Sequence, residues 1–120
     1  MNNNMRKLTV SIVFAFACSF SCFAFQNMEQ VEIKTQPITQ EVYLLRGAGG
    51  NIGILTGPDG VFMIDDQFAA LSDKLIAAID KISKQSVRFL VNTHHHGDHT
   101  GGNENFEDQG ALILAHLNVR

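Results

Sequence analysis

The chain has 120 residues, of which 45% are apolar and 18% are charged, and its formal net charge is −3. A chain of this length can form one small hydrophobic core, in which burial is marginal. Nucleic-acid binding generally requires a clustered basic surface, whereas nine Lys and Arg residues here face twelve Asp and Glu. The composition therefore argues against a nucleic-acid partner.

The N-terminus has the pattern of a secretory signal peptide. Basic residues at positions 6 and 7 precede an uncharged apolar run over residues 8–25. Cys22-Phe23-Ala24 then places small residues at the two positions that a signal peptidase reads. We therefore expect residues 1–24 to be a cleaved signal, with the mature chain of residues 25–120 in the periplasm or secreted.

Two other interpretations of this segment stay open. The apolar run of about 18 residues just reaches the length of a membrane span, so an uncleaved anchor is one of them. Lipidation of Cys18 or Cys22 is the other. Serine and threonine inside the run, and the lack of basic residues directly after it, favour the cleaved signal. Cleavage removes both cysteines and leaves a mature chain with no disulfide, no thiolate ligand and no stable membrane association.

The first part of the mature chain predicts strands. Residues 25–40 are uneven in polarity and predict a leading strand or a loose arm. Gly57-Pro58-Asp59-Gly60 suits a tight turn, because proline presets φ at the first central position and glycine suits the last. The β-branched runs around it predict a hairpin. The strands predicted here are residues 42–46, 51–56 and 61–65, with a flexible glycine-rich loop at 47–50.

The second part predicts a helix between buried strands. Leucine and isoleucine recur at spacings of three and four over residues 72–84, which predicts an amphipathic helix. Ser72 is the expected N-cap. Continuous apolar runs at 87–92 and 111–115 predict strands buried on both faces. Strands followed by strand–helix–strand alternation predict an α/β protein, a mixed sheet with flanking helices.

A histidine-rich loop, residues Thr93–Asn103, follows the strand at 87–92. Sites in sheets of this kind gather beyond the carboxyl ends of the strands, which is where this loop begins. In an extended segment, residues two apart point the same way, so His94 and His96 can reach one metal ion while His95 points away. Imidazole and carboxylate are ligands that zinc accepts readily. The loop therefore predicts a zinc site.

The second half of the loop adds further ligands after a glycine turn. Gly97 frees the backbone to turn, so that Asp98 and His99 can face a second metal ion. The glycines at 101 and 102 let the chain pass close to the site. Thr100 or Asn103 is expected to cap a short helix that runs toward residue 106.

These residues resemble the signature loop of the metallo-β-lactamase superfamily. The resemblance covers about residues 31–120 and includes Ile64-Asp65-Asp66, similar to an earlier family motif, and the strand end at 114–120. It implies the N-terminal half of a four-layer αββα sandwich. A half of this kind is expected to leave one apolar sheet face bare, where the second half of the family's fold packs.

The resemblance also implies roles for single residues. His94 and His96 match two ligands of a first zinc ion, and Asp98 and His99 match two ligands of a second. Asp65 matches an aspartate that steadies the ligand loop, with Asp66 as the alternative if the alignment slips by one. His116 matches a position that is not usually a ligand.

The implied activity is that of an exported, zinc-dependent hydrolase of small molecules with a β-lactam, ester or thioester bond. Asp98 is the expected catalytic residue, orienting the attacking water and carrying a proton. In members of the family, the remaining zinc ligands follow well after this loop, beyond the length of this chain. The resemblance therefore implies a truncated chain that binds zinc weakly and turns over little. The alternative is a non-catalytic fragment or a small periplasmic metal-binding protein.

Overall fold

The computed structural model describes residues 27–119, so the predicted signal peptide lies outside the described residues. The described part forms one mixed six-stranded sheet with helices against it, as predicted. Its strands are β1 Lys34–Pro37, β2 Val42–Arg46, β3 Asn51–Gly57, β4 Gly60–Ile64, β5 Val87–Asn92 and β6 Leu112–Ala115. Its helices are α1 Ser72–Ile79, α2 Gly97–Thr100 and α3 Asn103–Asp108, with 3-10 turns at Met28–Gln30, Ala69–Leu71 and Leu117–Val119.

The strands lie in the sheet in chain order, and the direction of pairing changes at β4. β1 to β4 each pair antiparallel with the next strand. β3 and β4 are joined by the predicted hairpin, where Gly57 pairs with Gly60. β5 then pairs parallel with β4, and β6 pairs parallel with β5; the connecting segments carry α1 and α3. This topology brings the carboxyl ends of β4, β5 and β6 to one edge of the sheet.

The core lies between one face of this sheet and the helices. Inward side chains alternate along each strand, as the pleat requires, and the register places Ile54 beside Met63 and Met63 beside Leu90. α1 contributes Leu75 and Ile79, which are buried against this face. The fully buried apolar residues include Leu45, Ile52, Ile54, Val61, Met63, Leu71, Leu75, Leu90 and Phe106.

The opposite face of the sheet is apolar and open, which confirms the expectation of a bare face. Its side chains come from the alternate positions of β2 to β6, where Leu55 pairs with Phe62 and Ile64 with Val91. Leu55 is 46% exposed and Ile64 is 41% exposed. Adjacent apolar side chains at this exposure form a continuous patch of the kind that other protein surfaces cover. Val42, Leu112 and Leu114 complete the exposed set.

α1 differs from its prediction at both ends. It ends at Ile79 instead of residue 84, because the amides of Ile82 and Ser83 both bond to the Ile79 carbonyl and close a tight turn. Ser72 is not the N-cap; it is already helical and buried, and its hydroxyl accepts a hydrogen bond from Asn105. The Ser72 amide bonds to the Ala69 carbonyl of the preceding 3-10 turn, and no side chain caps the helix.

α1 also holds the start of the described chain, which we call the N-terminal arm (residues 27–33). The Lys74 ammonium donates hydrogen bonds to the carbonyls of Met28, Glu29 and Val31, at 3.0, 2.6 and 2.8 Å. Three charge-assisted bonds to one segment fix the arm against the helix.

No helix within residues 27–119 is long and apolar enough to cross a membrane.

Candidate metal centre

The ends of β4 and β5 lie side by side, because these two strands are parallel and Ile64 pairs with Val91. The segments that follow the two strands therefore start side by side at the same edge of the sheet. The Asp65 amide continues the ladder with a 2.9 Å bond to the Val91 carbonyl. The chain then leaves the sheet at Asp65 and at Thr93, which places the histidine-rich loop directly against the aspartate.

Asp65 accepts three hydrogen bonds from this loop. Its Oδ1 accepts from the Thr93 amide at 2.8 Å, and its Oδ2 accepts from the Thr93 hydroxyl at 2.7 Å and lies 2.7 Å from Nδ1 of His99. The side chain is 5% exposed, and the backbone has φ +60°, a left-handed conformation that aspartate tolerates better than most residues. The carboxylate therefore connects both ends of the loop segment that carries the histidines.

These contacts determine which nitrogens of two histidines are free. Thr93 has one hydroxyl proton, which it donates to Asp65, so its oxygen accepts from Nδ1 of His94 at 3.0 Å. Nδ1 of His99 likewise donates to Asp65. Both imidazoles then carry their proton on Nδ1 and present the Nε2 lone pair. An imidazole whose other nitrogen is hydrogen-bonded in this way is the usual form of a metal ligand.

The structure brings three of the named residues into one cluster: ligand atoms of Asp65, His94 and His99 all lie within 4.8 Å of one another. The rings of His94 and His99 are 4.0 Å apart between centroids. Asp98 lies beside this cluster, with its Oδ2 3.5 Å from Nε2 of His99. Two donors on one tetrahedral zinc, each at about 2.1 Å, are roughly 3.4 Å apart, so this pair already has the spacing of ligands on a common ion.

His96 lies at the edge of the cluster. The loop bends over residues 93–95, so the extended backbone predicted for this segment is wrong; the bonds from Thr93 to Asp65 hold the chain here. That His94 and His96 reach one ion stays a prediction. The rings of His94 and His96 still lie 4.8 Å apart. His96 is exposed and its backbone precedes α2. His95 is exposed, and its ring lies against that of His96.

The donor set fits zinc. Ligand atoms of two imidazoles and one carboxylate lie within 4.8 Å of one another, and imidazole nitrogens and carboxylate oxygens are ligands that zinc binds. Asp65 already accepts three hydrogen bonds, so its position is that of a carboxylate supporting the ligands. The assignment of His94 and His96 to one ion and of Asp98 and His99 to another stays a prediction.

Asp66 holds the far end of the loop. Its Oδ1 accepts from the Gly102 amide at 2.9 Å, and its own amide donates to the His99 carbonyl at 3.0 Å. The side chain is fully buried, and burial raises the pKa of Asp66 to about 7, with the charge of Asp65 adding to the rise and Gly102 and His99 opposing it. Among the described residues, its Oδ2 has no hydrogen-bond partner. Both aspartates of the motif therefore contact the loop, at different points.

Glycines permit the close approach of backbone to these side chains. A Cβ on Gly49 would lie 2.6 Å from Cβ of Asp98, and one on Gly50 would overlap the His99 ring. A Cβ on Gly101 would lie 2.6 Å from the Gly97 carbonyl. The sequence predicted close passage at 101 and 102, but it gave the 47–50 loop no part in the site.

The other residues singled out from the sequence lie around this centre. The predicted short helix exists as α3, but its N-cap is Gly102 with no side-chain bond. Asn103 instead donates to Asn92, and the Thr100 hydroxyl donates to the His96 carbonyl. His116 is exposed and accepts a local bond from the amide two residues on. Sequence reasoning missed Asn92, a buried residue at the end of β5, and Gln67.

The fold and this cluster define a class: an α/β sheet with a histidine–carboxylate cluster, a candidate metal centre, at the carboxyl ends of its parallel strands. The sequence profile of the metallo-beta-lactamase superfamily matches residues 42–116, more than half of the chain. The chain belongs to the metallo-β-lactamase superfamily. No curated protein matches it.

Solved metallo-β-lactamase structures have the same fold over this region. A Cronobacter sakazakii enzyme with a HARLDQ motif is 23% identical over 72% of the chain, with a TM-score of 0.65. The mono-zinc form of a Pseudomonas aeruginosa enzyme is 22% identical over 74%, with a TM-score of 0.66. A subclass B3 enzyme from Bradyrhizobium japonicum is 19% identical over 72%, with a TM-score of 0.62. The chain spans 35%, 44% and 34% of the length of these three proteins.

Proposed function

We propose that the chain is the metal-binding half of an exported, zinc-dependent hydrolase that acts on a small molecule with a β-lactam, ester or thioester bond. The observation that carries the proposal is the convergence of Asp65, His94 and His99 beside Asp98, at the sheet edge where the superfamily match lies. A relative with the same fold is described in a mono-zinc form, which supports zinc as the ion.

The residues near the proposed zinc position would have two roles, as ligands of the ion and as supports of those ligands. His94 and His99 would bind zinc through Nε2. Asp65 would keep the His99 imidazole in that orientation directly, and the His94 imidazole through the Thr93 hydroxyl. His96 and Asp98 are the further ligands. When bound, zinc supplies a Lewis acid that polarises a carbonyl and acidifies water near neutral pH.

Asp98 is the residue that we expect to handle protons. Its side chain is one-third exposed, with relative accessibility 33%, and its Oδ2 faces the cluster. A carboxylate in this position can orient a water molecule and accept its proton as the water attacks. The backbone of Gly49 packs on the Cβ of Asp98, which restricts the orientations that this carboxylate can adopt.

Zinc binding by the full chain tests the metal site directly. We expect the parent to bind zinc measurably by equilibrium dialysis. His94→Ala and His99→Ala should each lower the zinc affinity at least tenfold, because each removes a proposed direct ligand of the ion. His116→Ala is the matched control, since this imidazole is exposed and makes only a local bond. Equal affinity in all four proteins would refute the proposed ligands.

Hydrolysis is tested on a panel of a chromogenic β-lactam, an aryl ester and a thioester. We expect the chain alone to turn over little, because the four loop ligands give two per ion where a catalytic zinc commonly has three. Rapid, chelator-sensitive hydrolysis by the purified chain would contradict this expectation. Export is tested by the N-terminal mass of the protein from a secreting host, which should begin at Phe25.

A second candidate function is metal binding without hydrolysis. It is favoured by the cluster of Asp65, His94 and His99, whose ligand atoms already lie within 4.8 Å of one another in a short stretch of the chain, residues 65–99. This candidate predicts tight zinc binding with no turnover on the panel, and Asp98→Asn would then leave zinc affinity within about twofold. The hydrolase proposal predicts a larger loss, because Asp98 is a ligand in it.

A further inference from the structure

Gln67 combines complete burial with an unusual backbone. Its side chain is 0% exposed and its φ is +58°. Left-handed backbone is uncommon for a long side chain and persists only where surrounding contacts demand it. The residue directly follows the two aspartates that hold the histidine-rich loop, which raises the question of what its own side chain holds.

Gln67 joins two segments that are far apart in sequence. Its Nε2 donates a hydrogen bond to the Gly50 carbonyl, in the glycine-rich loop between β2 and β3. Its backbone carbonyl accepts a 2.8 Å bond from the Gly101 amide, just after α2. One residue therefore links the 47–50 loop to the segment that carries Asp98 and His99.

The side-chain amide of Gln67 has a role beyond packing. Its Oε1 is buried and has no hydrogen-bond partner among residues 27–119. Burying half of an amide unpaired is unfavourable, so an apolar side chain of the same size would fill the site at lower cost. The single bond from Nε2 to Gly50 is the feature that an apolar side chain could not reproduce.

The position of Gly50 matters because this glycine lies on the His99 imidazole. A Cβ there would overlap Cε1 of the ring and lie 2.6 Å from Nε2 and 2.9 Å from Nδ1. The same ring donates through Nδ1 to Asp65. His99 is thus confined between a carboxylate on one side and the Gly50 backbone on the other.

We propose that Gln67 is a positioning residue, which holds the Gly50 backbone against His99 and so keeps Nδ1 of that imidazole on Asp65 and Nε2 turned toward the metal position. The effect on the imidazole follows from contacts within the chain. The effect on zinc affinity rests, in addition, on the proposed metal-binding function.

Gln67→Asn in the full chain separates positioning from packing. Asparagine adopts the left-handed backbone more readily than glutamine, but its amide is one methylene too short to reach the Gly50 carbonyl. We expect the variant to melt near the parent temperature. In the metal-free protein, the Nδ1 proton of His99 should exchange with water at least tenfold faster in NMR. Zinc affinity, measured by chelator competition, should fall about tenfold. Gln36→Asn, on exposed β1, is the matched control and should change none of the three.

A folded Gln67→Asn protein with the parental proton exchange and zinc affinity would overturn the inference. If that variant does not fold, Gly50→Ala tests the same contact from the other side, because its φ is not left-handed and the atoms nearest its Cβ belong to the His99 ring. Parental values for Gly50→Ala would also overturn it. Faster proton exchange in Gln67→Asn than in the parent, together with no zinc binding by the parent, would support the positioning role while refuting the proposed function.

Discussion

Asp66 should make the fold less stable as the pH rises, and Asp66→Asn should remove that dependence. The carboxyl is fully buried, with Oδ1 on the Gly102 amide and Oδ2 without a hydrogen-bond partner in the described residues. Burial raises its pKa from 3.8 to about 7. In the unfolded chain the carboxyl ionises at its ordinary pKa, near 4.

The sign follows from proton linkage. Between pH 4 and pH 7 the folded protein keeps a proton on Asp66 that the unfolded chain has lost, so stability falls as the pH rises through this window and levels off above pH 7. The two pKa values correspond to about 4 kcal/mol when both states are ionised, at about 1.4 kcal/mol for each pKa unit. Roughly 3 kcal/mol of this falls between pH 5 and pH 8.

The assay is urea unfolding of the parent and of Asp66→Asn at pH 5, 6, 7 and 8, with a chelator present to exclude metal. We expect the variant to gain about 3 kcal/mol relative to the parent from pH 5 to pH 8. Asp108→Asn, at an exposed position, should track the parent at every pH. A stability difference between parent and Asp66→Asn that is the same at pH 5 and pH 8 would refute the argument.

Three further substitutions test contacts that hold the histidine-rich loop and the N-terminal arm. Gly101→Ala should lower the free energy of unfolding in urea by about 2–3 kcal/mol, because its Cβ would lie 2.6 Å and 2.8 Å from two carbonyl oxygens. Gly97→Ala is the control: nothing lies within 4 Å of its Cβ, so the free energy of unfolding should change by less than about 0.5 kcal/mol. Lys74→Met should release the N-terminal arm, seen as faster amide exchange there, whereas Lys81→Met, at an exposed position, should not; an arm equally protected in both would contradict the role of the ammonium. Asp65→Asn should keep the left-handed backbone but weaken zinc binding about 10–100-fold in chelator competition, and parental affinity would show that the carboxylate does not support the ligands.

The strands could be predicted because their signals are local. β2 and β5 have the predicted bounds, and the turn at Gly57–Gly60 is the predicted hairpin. The end of α1 could not be predicted from periodicity. Ile82 continues the apolar spacing past the last helical residue and still packs against the core, because a tight turn can present a side chain to the same face as a helix.

The metal centre was predictable in composition and not in geometry. The histidine-rich loop was identified from residue types and spacing, and Asp65 from the resemblance to the superfamily. The bend at 93–95 comes from the bonds between Thr93 and Asp65, which are 28 residues apart, and no local pattern encodes it. Gln67 acts through Gly50, a contact that exists only after the sheet has formed. Its only sequence signal is its position directly after the aspartate pair.

Three consecutive residues after β4 hold the whole ligand loop, and their backbone explains how. Asp65 binds its start and His99, Asp66 binds the His99 carbonyl through its amide and Gly102 through its carboxyl, and the Gln67 carbonyl binds the Gly101 amide. In a regular strand, alternate side chains would point to opposite faces of the sheet. Left-handed φ values of +60° and +58° at the first and third residues break that alternation, so that side chains and backbone groups of one short segment all meet the same loop. Such conformations cost about 1–2 kcal/mol each, and the hydrogen bonds to the loop offset that cost. The candidate metal centre therefore depends on the strained segment that follows β4 as much as on the loop that carries the proposed ligands.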